Sequence, residues 1–121
     1  MPSPRSRLGK VAEELAAAEL YKLGYQILVS NYNCKHGEID IIAQEADSLV
    51  FVEVRCKRTT TYGSPAESIT AAKQQKIALT AQHYLQEHNI QDINCRFDVV
   101  EVVVVNGNLI VSEIIRNAFS L

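Results

Sequence analysis

Apolar positions along the chain change period several times, and each change marks an element. From Leu8, the residues Leu8, Val11, Ala12, Leu15 and Ala18 recur on one helical face, and Gly24 follows where a left-handed C-cap is wanted. Residues 1–7 form a Pro/Ser/Arg tail without periodicity and read as flexible, which leaves residues 8–121 as a single domain. Tyr25 to Ser30 is a short strand, and Asn31 to His36 a polar loop with turn-forming asparagines. Two apolar strands follow, Glu38 to Ala43 and Leu49 to Cys56, around a polar turn. Ser64-Pro65-Ala66-Glu67 carries the elements of a capping box, and Thr70 is a second candidate start for the next helix. Its inward stripe is Thr70, Lys73, Ile77, Ala81, Tyr84 and Leu85, ending near His88-Asn89. Cys95 to Val105 reads as a buried strand, and Asn106-Gly107 is a strong hairpin signal. Leu109 to Ser112 is its return strand, with no element assigned beyond. The order is αβββαββ, an α/β sandwich with a mixed sheet.

The central hairpin breaks its own pattern. Glu38 and Asp40 sit on one apolar strand, Glu53 and Arg55 on the other. Ionised groups in a sheet core are costly unless they are paired or hold a metal. Residues two apart share a face, so register decides whether these charges meet. An even loop makes facing residue numbers sum to about 93, placing Asp40 opposite Glu53 with Cβ atoms about 5 Å apart, Glu38 opposite Arg55, and Ile42 opposite Phe51. The other face is then Ile39, Ile41, Ala43, Val50, Val52 and Val54, apolar enough to need a helix over it. An odd loop would separate the two acids.

Composition narrows the class. At 121 residues the chain has length for one domain with a real core, and its 47% hydrophobic and 21% charged residues are ordinary for a globular protein. No apolar run has the length of a membrane span, and the N-terminus lacks a secretory h-region, so no membrane partner and a cytoplasmic location are expected. Cys34, Cys56 and Cys95 are odd in number and widely spaced, which argues against disulfides and zinc knuckles and reads as small buried residues. His36, His83 and His88 lack ligand spacing, and Asp98 reads as a hydrogen-bonded structural acid. A net charge of -2 argues mildly against a nucleic-acid binder. The bases are nonetheless gathered, with Lys35 and His36 before the first acidic strand and Arg55, Lys57 and Arg58 at the end of the second.

Two carboxylates facing at that distance stay ionised only beside a cation. Their hard oxygens select Mg²⁺ or Mn²⁺, held by Asp40, Glu53 and the backbone carbonyl of Val54. Such an ion lowers the pKa of a bound water and stabilises charge on a phosphate. Lys73, on the inward stripe of the second helix, is placed to lean toward the acids.

This arrangement resembles the PD-(D/E)xK, or restriction endonuclease-like, nuclease superfamily, whose three-layer αβββαβ core carries acids on its second and third strands. The blocks Gly37-Glu38-Ile39-Asp40, Phe51-Val52-Glu53-Val54-Arg55 and Arg96-Phe97-Asp98 are more closely similar to the bacterial YraN (UPF0102) family, over about Leu8 to Val104. The resemblance implies that core with a mixed central sheet and an extra C-terminal strand, metal-ligand roles for Asp40 and Glu53, and nucleic acid, DNA first, as partner. Glu14 matches the position at which archaeal Holliday-junction resolvases of the superfamily carry a further acidic ligand, with Glu13 adjacent. The superfamily lysine is Arg55 here, which binds phosphate but accepts no proton. Lys57, about 6.6 Å further along the strand, is a substitute if the strand extends that far. Lys35, Lys57, Arg58 and Lys73 are the expected contacts to nucleic acid. Two readings follow: a metal-dependent endonuclease on DNA, branched recombination or repair intermediates included, or a nuclease-fold binding or scaffold module in which Arg55 merely pairs with Glu38. Symmetric cutting of two strands would call for a homodimer.

Overall fold

The computed structural model describes residues 4–57 and 69–120. The order is α1 (Pro4–Lys22), β1 (Gln26–Cys34), β2 (Gly37–Glu45), β3 (Ser48–Lys57), α2 (Ala71–Glu87), β4 (Asn94–Val105) and β5 (Asn108–Phe119). The strands form one sheet in sequence order, antiparallel except between β3 and β4. A parallel neighbour cannot be reached by a tight turn, and the crossover from β3 to β4 contains α2. The helices sit on opposite faces. Ala12, Ala16 and Leu20 of α1 pack with Ile41, Ala43, Val50, Val52, Val100 and Val102, whereas Ile77, Ala81 and Tyr84 of α2 pack with Ile42, Leu49, Phe51 and Val99. The element order and mixed sheet are those expected from the pattern, and the three layers are those the family resemblance implies.

Several local expectations are corrected. α1 starts at Pro4, so residues 4–7 are helix rather than tail; proline at a first helical position loses no hydrogen bond and has its φ preset. The buried face of α1 is also rotated. It runs Ala12, Ala16, Leu20, while Val11 is 50% exposed. Small side chains let the helix approach the sheet closely, which a count of large apolar residues overlooks. The predicted cap at Gly24 is present, with φ +99° and the bonds Tyr25 N–H to Leu20 O (3.0 Å) and Gly24 N–H to Tyr21 O (3.1 Å) of a Schellman end.

β1 continues through the expected loop to Cys34, pairing with Gly37 across a turn at Lys35-His36. Thr70 is the N-cap of α2, its hydroxyl accepting the Lys73 N–H at 3.1 Å. Arg58 and the Ser64–Glu67 box lie outside the described residues. Asn106-Gly107 forms the expected turn, with φ +50° and +78°. β5 runs on to Phe119, past the return strand expected to end at Ser112. Cys56 and Cys95 are exposed and Cys34 half-buried, none of them in a disulfide, so these are not the buried small residues expected.

β2 and β3 pair in the even register, Ile42 opposite Phe51 and Ile41 opposite Val52, around a two-residue turn at Ala46-Asp47. Their pairing stops at Ile41–Val52, although β2 begins at Gly37 and β3 continues to Lys57. One expected position is reversed. Ile41 and Ala43 face α1, but Ile39 packs on the α2 side. Alternation therefore breaks at Asp40. The neighbouring strand breaks with it: Val29 and Tyr32, three apart, both pack on the α2 side, and Asn31 between them has φ +57°.

Candidate active site

Where β2 and β3 stop pairing, a backbone N–H loses its ladder partner. The Val54 N–H donates instead to Asp40 Oδ2 at 2.8 Å. Such a bond stabilises the ionised carboxylate, but burial and the Glu53 charge oppose it, and they push the Asp40 carboxyl up to about 8. The Asp40 and Glu53 carboxyls line the same cavity, so each charge bears on the other. N–H and C=O of a strand residue leave the same edge, so the Val54 carbonyl faces this gap as well.

Other acids converge here. Single carboxylate oxygens of Glu13, Glu38 and Asp40 all lie within 4.8 Å of one another. Burial and then the charge of Glu38 raise the Glu13 carboxyl above the usual range, against a hydrogen bond from Asn31. Glu13 Oε1 is buried with no hydrogen-bond partner. Glu53 is buried at 8% exposure, and the Lys73 ammonium lies 3.2 Å from its Oε1. A cavity of about 500 Å³ opens over the group, lined by Gly37, Glu38, Asp40, Glu53, Thr70, Lys73, Lys76 and Ile77 among others. Gly37 is required there. Its φ is +150°, and an added Cβ would lie 3.3 Å from Thr80 Oγ1.

The sequence-predicted residues divide. Asp40, Glu53 and Lys73 meet in one cavity. Glu14 is exposed, and it is Glu13, beside it on a neighbouring hollow, whose carboxylate lies with those of Glu38 and Asp40. Arg55 is half-buried on β3 and forms no ion pair among the described residues, so the Glu38–Arg55 bridge is absent. β3 does reach Lys57, but its ammonium is held by buried Glu101 at 3.0 Å and is not free to serve in place of a lysine at 55. Lys35 is exposed at the β1–β2 turn.

The model of the uncharacterised protein family UPF0102 matches residues 12–102. The chain belongs to the UPF0102 family. It is 45% identical to a UPF0102 protein of Desulforapulum autotrophicum over 98% of both chains. A UPF0102 protein of Syntrophus aciditrophicus is 44% identical over 95% of this chain and 90% of its own, and one of Saccharophagus degradans 46% over 93% and 92%. Among the described residues of this UPF0102 chain, no helix is long and apolar enough to cross a membrane.

At the opposite end of the sheet the UPF0102 chain carries a second polar cluster. Asp98 is fully buried and accepts from Tyr25 (2.8 Å), Arg96 Nε (2.9 Å) and the Asn117 N–H (2.9 Å). Arg96 and Arg116 both bond the Tyr25 hydroxyl and pair with Glu45. Every described charge in it is matched, which is the structural role expected for Asp98. Arg116 was invisible in sequence because it lies in the C-terminal stretch to which no element was assigned.

Proposed function

We propose that this chain is a divalent-cation-dependent nuclease hydrolysing DNA phosphodiester bonds, branched recombination or repair intermediates included. The observation carrying the reading is the convergence of Glu13, Glu38, Asp40 and Glu53 where β2 and β3 part. Four carboxyls are not assembled in a half-buried site without cost, and the raised Asp40 and Glu13 carboxyls and the unpartnered Glu13 oxygen register that cost. The donor set fits a hard cation. Asp40, Glu53 and the Val54 carbonyl would hold Mg²⁺ or Mn²⁺, with Glu13 and Glu38 beside them. A bound ion supplies a water of lowered pKa and charge stabilisation at the phosphate. Glu13, whose Oε1 lacks a hydrogen-bond partner, would accept that water's proton, and Arg55, always charged, would grip phosphate without exchanging protons.

A second reading is a nuclease-fold scaffold without hydrolysis. It is favoured by the Lys73–Glu53 pair and the Val54 N–H bond to Asp40, which satisfy two of the acids internally. Calorimetric titration with Mn²⁺ decides between them. The nuclease reading expects heat and a raised melting temperature in the wild type, both lost in Asp40→Asn, together with Mn²⁺-dependent cleavage of linear or four-way-junction DNA that Glu53→Gln abolishes. A wild type that neither binds the ion nor cuts DNA sinks it.

A further inference from the structure

Lys73 is set against the grain of its helix. It is the third residue of α2, in a first turn with no acid, where the positive end of the helix dipole repels an ammonium. Its backbone is fixed by the Thr70 cap, and its side chain reaches across the cavity to Glu53 Oε1 at 3.2 Å. That side chain is 44% exposed, so it is free to swing, while Glu53 is at 10%. Among the described residues, no other lysine or arginine touches the site carboxylates Glu13, Glu38, Asp40 or Glu53.

We propose that Lys73 is a tethered counter-ion: it occupies Glu53 until a divalent cation takes that carboxylate, and the displaced ammonium then grips a phosphate oxygen of the substrate, so that cation and phosphate bind cooperatively. The inference rests on the nuclease reading for the cation itself. It adds that Glu53 is contested. A cation on Glu53 and an ammonium on the same oxygen repel each other, so each cation bound must release Lys73. The released charge needs an anion, and on the proposed reading Glu13 and Glu38 stand beside the cation itself. A phosphate supplies it, and by linkage each ligand then raises the other's affinity.

The test is Mn²⁺ calorimetry without DNA on the wild type, Lys73→Met, Lys73→Arg and Lys76→Met, with thermal melts to confirm folding. Lys76 lines the same cavity and makes no ion pair among the described residues, so Lys76→Met measures the effect of removing a nearby charge alone. Lys73→Met should bind Mn²⁺ about fivefold or more tighter than Lys76→Met does, and Lys73→Arg no tighter than wild type. In Ca²⁺, where cleavage is suppressed, a short DNA duplex should bind Lys73→Met several-fold more weakly, and the mutual enhancement of Ca²⁺ and duplex should vanish. Mn²⁺ affinity in Lys73→Met equal to or below that of Lys76→Met overturns the proposal while leaving the nuclease reading intact. Absence of binding in both wild type and Lys73→Met defeats that reading, and the counter-ion role with it.

Discussion

Replacing Asp40 with asparagine should make stability less dependent on pH, and the structure fixes the sign. In the fold, burial and Glu53 keep the Asp40 proton on up to about pH 8, against 3.8 for the free side chain. Between those values the folded chain holds a proton that the unfolded chain has released. The contribution of Asp40 to stability is therefore greatest below about pH 4 and falls as pH rises, by up to ~1.4 kcal/mol per pH unit for a single group. This is the reverse of a salt-bridged aspartate. The asparagine side chain would be the neutral mimic of the protonated acid: its carbonyl can accept the Val54 N–H that Asp40 accepts at 2.8 Å, and its amide can donate to Glu53. The advantage of Asp40→Asn over wild type should therefore grow by roughly 2–4 kcal/mol between about pH 5 and pH 8. Urea unfolding of both proteins in EDTA across that range measures it. Parallel stability curves would show that Asp40 ionises normally and that the acids do not press on one another.

Two further changes probe the supports of the site and the sheet. Gly37→Ala places a methyl against Thr80 in a left-handed conformation and should cost roughly 1–3 kcal/mol in urea unfolding, lowering Mn²⁺ affinity as well because Glu38 and Asp40 follow on the same strand. Tyr25→Phe removes a hydroxyl that donates to Asp98 and accepts from Arg96 and Arg116, and should cost roughly 1–3 kcal/mol while leaving Mn²⁺ titration at the far end unchanged. Equal loss of Mn²⁺ binding in Tyr25→Phe would mean that the two ends of the sheet are not independent.

The elements were legible because local chemistry and global packing agree at most of them. Gly24 caps α1, Thr70 caps α2 and Asn106-Gly107 turns the last hairpin, and each acts through its own backbone. Register of the central hairpin was legible for a different reason: only an even loop buries Ile41, Ala43, Val50 and Val52 together under α1. What a strict period of two cannot convey is a place where the period fails. Ile39 departs from it because the chain turns over at Asp40, and nothing in the residues Ile39-Asp40-Ile41 distinguishes that from a regular strand.

The same limit explains the helix acid. The expected face of Leu8, Val11, Ala12, Leu15 and Ala18 shares Ala12 and Leu15 with the packed one, but close approach to the sheet centres burial on Ala12, Ala16 and Leu20. At about 100° per residue, Glu13 then flanks the buried stripe and Glu14 points away from it. Alanine at four-residue spacing was the available signal. It also bears on chemistry, because a helix lying close against β2 brings Glu13 to within 4.8 Å of the Glu38 and Asp40 oxygens, and a bulkier residue at position 12 or 16 would lift it off. The acids on the strands were thus readable as a pair from register alone, but the third and fourth carboxyls depend on two departures from regularity, a reversed strand face and a helix packed through its smallest side chains. Arg55 illustrates the complementary case. Its register position opposite Glu38 was the natural ion pair, yet the strands have parted there, which leaves Glu38 with Glu13 and Asp40 and leaves the arginine without an ion pair among the described residues.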